Sequence, residues 1–346
     1  MALVHFEGFD AFTAGGGIVA DLANSGQYFG WTSNGGTTST GLLGGKQWES
    51  GGGGNNELFF TSPTPIVTSI IGMRIRIPVV TATNSVLLLY DSTGATQIGI
   101  CITGSATLAV YRNSTATILA TGTTTIVAGA YYYLEMQSTI NSSTGSVQVN
   151  LNGNSEISAS GLNTQNSANT NVQGIQWRWF SATTMGIDDF YWSDTTGSAP
   201  YNTFLYNATY GLRVETLFPT ANNSVGFTPA ASTNVSQIQE TSSDNDTTYN
   251  LTQVPAIDTF THGGLSSNPQ TIFAVNVTGK LRSDDVSNMT VRNKLISGGT
   301  TTNGVTTLAP TVYQYIKDQY INDPNTSNPW TGSAVNNSII GYERIT

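Results

Sequence analysis

Charge is scarce in this chain: Asp, Glu, Lys and Arg make up 10% of its 346 residues, against about a quarter in an average globular protein. The basic share is smaller still, 12 Lys and Arg against 21 Asp and Glu, for a formal net charge of −9. Nucleic acids and anionic membrane surfaces are bound by clustered cations that displace counterions, so neither is expected as a partner. No apolar run reaches the roughly 18 residues that a bilayer-spanning helix needs, so membrane insertion is not expected. Cys101 is the single cysteine. It excludes an internal disulfide and a Cys-based zinc site, and its setting, Ile98-Gly-Ile-Cys-Ile-Thr103, reads as a small buried hydrophobe. The two histidines, His5 and His262, accompany no Gly-x-Ser-x-Gly elbow, which argues against a nucleophilic triad. The opening Met-Ala-Leu-Val-His-Phe-Glu-Gly lacks a basic segment followed by an apolar stretch. The expectation is therefore no signal peptide and synthesis in a cytoplasm.

What is present points to strands. Gly, Ser, Thr and Asn dominate, while 38% hydrophobic and 10% aromatic content argues against disorder. From residue 66 onward, alternating runs recur at Thr68–Ile77, Ser85–Tyr90, Gln97–Thr103, Thr107–Arg112 and Thr117–Thr121, separated by Gly-containing turns such as Asp91-Ser-Thr-Gly94. With almost no helical period, the chain reads as all-β, and short strands at this spacing favour two-sheet sandwiches. The Gly-rich patches Gly15–Gly17 and Gly51–Gly54 read as loop. Length allows two domains, each with its own core. The stretch Ser193-Asp-Thr-Thr-Gly-Ser-Ala-Pro200 has no apolar period and ends in proline, which places the boundary near residue 198: domains 1–197 and 198–346. The second holds a polar stretch at 222–250, strands at Thr271–Leu281, Met289–Ser297 and Tyr313–Ile321, and one helical turn within Trp330–Ser338 with Thr331 as N-cap. A polar loop of that length is expected to be functional or poorly ordered when free.

The most informative block runs from Gly129 to Trp192. In Tyr131–Ile140 the residues Tyr132, Leu134, Met136 and Ile140 share one side of a two-residue period, and Tyr131, Tyr133, Glu135 and Gln137 the other. Asn141-Ser-Ser-Thr-Gly145 supplies a turn, Ser146–Leu151 resumes the alternation, and Asn152-Gly153 is a two-residue hairpin turn. Ile187-Asp-Asp-Phe-Tyr-Trp192 closes the block as a buried strand.

Tyr-Tyr-Leu-Glu-Met-Gln, then Asn-Ser-Ser-Thr-Gly-Ser-Val-Gln-Val-Asn-Leu-Asn-Gly, Gly161-Leu-Asn-Thr-Gln-Asn166 and Ile-Asp-Asp-Phe-Tyr together resemble the concanavalin A-like, laminin-G-type jelly rolls of bacteriophage virion proteins. The resemblance covers the first half and continues into 211–220 and 328–335, which is similar to the second module of those proteins. It implies two β-sandwich (jelly-roll) domains, the first concanavalin A-like or laminin-G-like. It also implies a non-enzymatic virion component of capsid, neck or tail, present in many copies as a homo-oligomer, that works through contacts with other virion proteins. The second domain is the candidate for virion attachment.

An alternative function is a lectin-like module for a host-surface glycan. Its candidate platform residues are Tyr131, Tyr133 and Gln137 on one strand, and Trp177 and Trp179, which share a face of 174–180 with Ile175. A third reading, glycoside hydrolase, needs two carboxylates at a fixed separation. Glu135 is followed two positions later by Gln137, and the adjacent Asp188 and Asp189 are expected on opposite faces of a strand, so no pair is in evidence. No cofactor is required. Calcium is the one to weigh, with oxygen ligands available from Asp188, Asp189 and Asp194 near a rim and from Asp244 and Asp246 in the second domain.

Overall fold

The computed structural model describes residues 3–12, 21–22, 28–29, 36–50, 56–80, 82–180, 183–284 and 288–346. Both Gly-rich patches lie outside them. The chain forms two units, one of Met1–Asp10, Ala14–Ala23 and Gln27–Val214, the other of Ala11–Thr13, Asn24–Gly26 and Glu215–Thr346.

The first unit is a sandwich of two antiparallel sheets. The eight-stranded sheet runs Asn154–Leu162, Gly145–Leu151, Tyr131–Thr139, Thr68–Arg76, Gly186–Ser193, Lys46–Glu49, Thr37–Thr40, and Leu3–Glu7 also pairs with Gly186–Ser193. The seven-stranded sheet runs Ile118–Thr121, Leu108–Arg112, Thr96–Ile102, Asn84–Tyr90, Val172–Trp179, Asn56–Ile66, Tyr28–Phe29. The predicted hairpins form for the reasons the residues suggest. Asn141 Oδ1 accepts from the amides of Ser143 and Thr144, both at 2.9 Å, and Asn152 and Gly153 take φ of 51° and 79°, the left-handed pair a two-residue hairpin demands. Between the sheets Trp48, Trp177, Trp179, Trp192, Phe60 and Phe190 are buried, with Trp177 edge-on to Phe190 at 4.7 Å. Each large side chain so placed contributes about 1.5–3 kcal/mol of burial.

The division falls between Val214 and Glu215, not near residue 198. The turn chemistry at 193–200 is real, but the chain beyond it returns to the first sandwich and lies along the outer face of the eight-stranded sheet. Leu205 and Tyr206 donate their amides to Glu135, Arg74 donates to Leu212 O at 2.9 Å, and Val214 N donates to Asp189 Oδ1 at 2.7 Å. This segment is a strap on the first unit.

The second unit is a smaller sandwich. A six-stranded sheet of Pro219–Ser224, Ala256–His262, Ile339–Arg344, Thr290–Ser297 and Thr300–Asn303, with Thr307–Leu308 also pairing Thr290–Ser297, packs against the ribbon Val275–Leu281 and Gln314–Tyr320. Val277, Leu295, Trp330 and Val335 form its core. Gly332–Asn336 is the expected helical turn, and Thr331 Oγ1 accepts from Ala334 N at 3.1 Å as its cap. The polar stretch 222–250 is held within the chain itself. Buried Asp258 accepts from Gly226 N (2.7 Å) and Phe227 N (2.9 Å) on one oxygen, and from Asn234 Nδ2 (2.7 Å) and Tyr342 OH (3.1 Å) on the other.

Candidate functional site

The aromatic residues suggested as glycan platforms are mostly core. Trp177 and Trp179 are fully buried between the sheets, the Trp177 indole donating to Met73 Sδ at 3.1 Å. Tyr133 does face outward on the eight-stranded sheet, but Tyr206 of the strap stacks on it at 4.5 Å and its hydroxyl donates to Asp189 O at 2.8 Å. Tyr131 and Gln137 are half-buried at opposite ends of their strand, ~20 Å apart at 3.4 Å per residue, with the Tyr131 hydroxyl donating to Gln47 Oε1 at 3.1 Å. These five do not form one surface.

Nor are the calcium candidates brought together. Asp194 Oδ1 accepts from Thr196 N and Oγ1, and Asp244 Oδ1 accepts from Thr248 N and Oγ1, so both close local turns. Asp246 Oδ1 accepts from Arg282 (2.8 Å) and from the Tyr313 hydroxyl (3.0 Å). Among the described residues no group of three His, Cys, Asp or Glu is placed to hold a metal ion.

Asp188 and Asp189 correct a further expectation. Asp189 takes a left-handed φ of 48°, and the register between Gly186–Ser193 and Thr68–Arg76 shifts there. Asp188 pairs in register with Arg74, and Asp189 Oδ2 accepts from Arg74 Nε at 2.7 Å, so the bulge brings both carboxyls to one side of the sheet. Both are buried, as is Glu135. Burial, then the neighbouring Asp189, pushes Asp188 far above the usual carboxylate range. Burial also raises Asp189, with the Arg74 ion pair opposing it, so the adjacent carboxyls hold a proton between them well above the usual carboxylate range. A carboxyl raised in the folded state gives stability that is complete below the ordinary carboxylate pKa and fades as pH rises toward the folded value. Asp188→Asn, which keeps the acceptor for Asp189 N, is expected to stabilise the protein by about 1 kcal/mol or more at about pH 8 and to flatten the alkaline decline in Tm. Thermal unfolding across a pH series checks it.

The outer face of the seven-stranded sheet is organised differently. Trp177, Leu58 and Leu87 point to the core, so the next residues along each strand point away from it. Cα register then lines up Phe59, Gln176, Leu88, Gly99, Tyr111 and Ile118 in a single row across six strands. Arg178 and Glu57 pair in the adjacent row on one side, and Gly174 and Tyr90 on the other. Leu88, Cys101, Ala109 and Tyr111 form a buried cluster with Tyr90 packed against it, which makes a floor of small and apolar groups. Gly99 is required there: a Cβ would stand 2.5 Å from Leu87 O and 2.6 Å from Tyr111 Cζ, so the tyrosine ring lies flat over the glycine.

Polar groups flank that floor. The Tyr90 hydroxyl donates to Gln176 Oε1, and the Tyr111 hydroxyl donates to Ser85 Oγ at 3.0 Å. Arg178 Nε lies 3.3 Å from Glu57 Oε1, and its guanidinium rests 3.7 Å over the Phe180 ring. Burial raises the hydroxyl pKa of both Tyr90 and Tyr111, so both stay neutral donors at any physiological pH. Phe59, Tyr90, Glu57, Arg178 and Phe180 are half-buried. The result is a strip of aromatic surface with a phenol, a guanidinium and a carboxylate along it. It can take a flat, hydroxyl-rich molecule by stacking and hydrogen bonding. The signal missed in the sequence is the run of small residues Gly99, Cys101 and Ala109 at outward positions of central strands, with Tyr90 and Tyr111 beside them.

No family model matches the chain, and no curated protein matches it. Solved structures similar to the chain include a sialidase, with 11% identity and a TM-score of 0.42 over 56% of this chain and 19% of that one. The chain thus spans about a fifth of that protein's length. An endo-β-1,4-glucuronan lyase from Trichoderma reesei is similar over 47% of this chain and 91% of its own, with 14% identity and a TM-score of 0.36. A carbohydrate-binding module from Bacillus subtilis is similar over 47% of this chain and 95% of its own, with 16% identity and a TM-score of 0.31.

Proposed function

We propose that this chain is a non-catalytic glycan-recognition protein whose ligand lies on the outer face of the seven-stranded sheet. The observation that supports it is the half-buried strip of Phe59, Tyr90, Phe180 and the Arg178–Glu57 pair, backed by the buried Gln176 that the Tyr90 hydroxyl bonds to. Sugar rings present apolar faces and equatorial hydroxyls, and a surface that alternates aromatic rings with fixed donors and acceptors meets both needs. Binding without turnover is the reading because Glu135, Asp188 and Asp189, the carboxyls considered for hydrolysis, are all buried.

A glycan array probed with the full chain is the test. At least one oligosaccharide should bind, and Tyr90→Ala should weaken it about tenfold or more, the equivalent of about 1.4 kcal/mol. Tyr131→Phe, on the other sheet, should leave binding unchanged. An array without a binder, or a Tyr90→Ala protein with undiminished affinity, removes the proposal. The resemblance of 131–166 and 187–191 to phage jelly rolls supports a second proposal, that the protein works as a virion component. Mass spectrometry of purified particles tests that separately, and absence from them refutes it.

A further inference from the structure

Arg178 and Glu57 face each other in register on neighbouring strands of the seven-stranded sheet. Arg178 Nε comes within 3.3 Å of Glu57 Oε1 yet makes no hydrogen bond. Among the described residues no further hydrogen bond or ion pair engages either side chain, and the side chains are 31% and 14% exposed. Phe180 backs the guanidinium and fixes its plane, while the Phe59 and Tyr90 rings lie 5.9 Å apart next to the pair. The Nη donors of Arg178 and the carboxylate of Glu57 are thus held side by side along an aromatic strip, with hydrogen-bonding capacity unused by the protein.

A guanidinium alone in such a setting would be a seat for an anion, since it forms two parallel bonds to a carboxylate. Here the cation is already compensated. An anion drawn to Arg178 is repelled by Glu57 beside it, so little net attraction remains to offset stripping water from the anion. The two groups likewise act in opposite senses on the Tyr90 hydroxyl. The net charge of −9 adds a long-range repulsion. A neutral sugar meets no such penalty. Adjacent sugar hydroxyls donate to the carboxylate and accept from the guanidinium, and bonds to a charged partner are roughly twice as strong as neutral ones.

We propose, on the basis of the glycan reading, that the strip takes neutral sugars bearing adjacent free hydroxyls and rejects uronates, with Glu57 as the residue that sets the choice.

An array carrying glucan, mannan and galactan oligosaccharides, each in neutral form and oxidised at C6 to the carboxylate, tests it. The neutral member of a bound pair should bind about tenfold tighter or more than its acidic counterpart. Its Kd should stay within about twofold between roughly 50 and 500 mM NaCl, because no ion pair with the ligand is there to be screened. Glu57→Gln keeps the side-chain shape and leaves Arg178 uncompensated, so it should raise affinity for the acidic member about tenfold and weaken the neutral one. Binding confined to the acidic forms, or a preference unchanged in Glu57→Gln, overturns the neutral-sugar proposal and leaves the glycan reading standing. Binding of neither form, in the array or by any other oligosaccharide, removes both.

Discussion

Asp91→Ala is expected to destabilise the first sandwich by about 3 kcal/mol, from the loss of several hydrogen bonds to a charged acceptor at about 1.5–3 kcal/mol each, offset in part by water at the exposed and half-buried donors. Five donors converge on this carboxylate. Thr93 N and Oγ1 (both 2.8 Å) and Ala95 N (2.9 Å) bond to Oδ1, and Ser167 Oγ (2.5 Å) and Asn169 Nδ2 (2.9 Å) bond to Oδ2. The turn that the sequence places at 91–94 is thereby tied to a loop more than seventy residues away. Gln97 fastens the same loop, accepting from Asn166 N at 2.6 Å and donating to Asn169 O at 2.7 Å. Burial alone would raise the Asp91 pKa, but the hydrogen bonds outweigh it and hold the carboxyl well below its usual range. Its stabilisation is thus present above the ordinary carboxylate pKa and is lost as pH falls through the depressed folded value. Calorimetry should show Tm falling by ~10 °C at neutral pH in the variant. The gap from wild type should narrow in strong acid. A Tm within about 2 °C of wild type at neutral pH would contradict the clamp.

The second large effect is expected at Glu135. Its Oε1 accepts from the Tyr191 hydroxyl, Leu205 N (2.9 Å) and Tyr206 N (3.0 Å), while the Tyr191 ring lies over Gly72, where any Cβ would collide with it. Glu135→Ala leaves two amides and a hydroxyl without this acceptor, a loss of about 3 kcal/mol at 1–3 kcal/mol for each buried group left unsatisfied. The strap at 200–214 loses its central attachment. Limited proteolysis should therefore cut within it in the variant and spare the wild type. Glu135→Gln keeps an acceptor oxygen and should behave almost as wild type. Burial raises the Glu135 pKa, so its own ionisation costs stability as pH rises, and the amide should gain relative to wild type in alkaline buffer. A strap equally resistant in Glu135→Ala would mean that Tyr206 stacking and the Arg74–Asp189 network hold it without the carboxylate.

Local features were legible because local chemistry decides them. The alternation in Tyr131–Thr139, the Asn152-Gly153 turn and the Thr331 cap each rest on a few adjacent residues. The strap was not legible, because its partners Arg74, Glu135 and Asp189 lie on three separate strands and the 200–214 sequence carries no strand pattern of its own. Face assignment failed for a related reason. Central strands such as Thr68–Arg76 and Gly186–Ser193 are buried on both sides, so alternation does not tell core from outer face, and Trp177 and Trp179 looked as eligible for a surface as Tyr90. The ligand-facing strip draws on Asn56–Ile66, Asn84–Tyr90 and Val172–Trp179, neighbours whose spatial order is not their order in the chain, so register alone assembles it.

Hydrogen–deuterium exchange with and without a bound oligosaccharide tests most directly whether the outer face of the seven-stranded sheet receives a glycan. Protection is expected in Asn56–Ile66, Asn84–Tyr90 and Val172–Trp179 and to be absent from Tyr131–Thr139. Protection confined to the strap, to the eight-stranded sheet or to the second unit would place the ligand elsewhere and contradict the account.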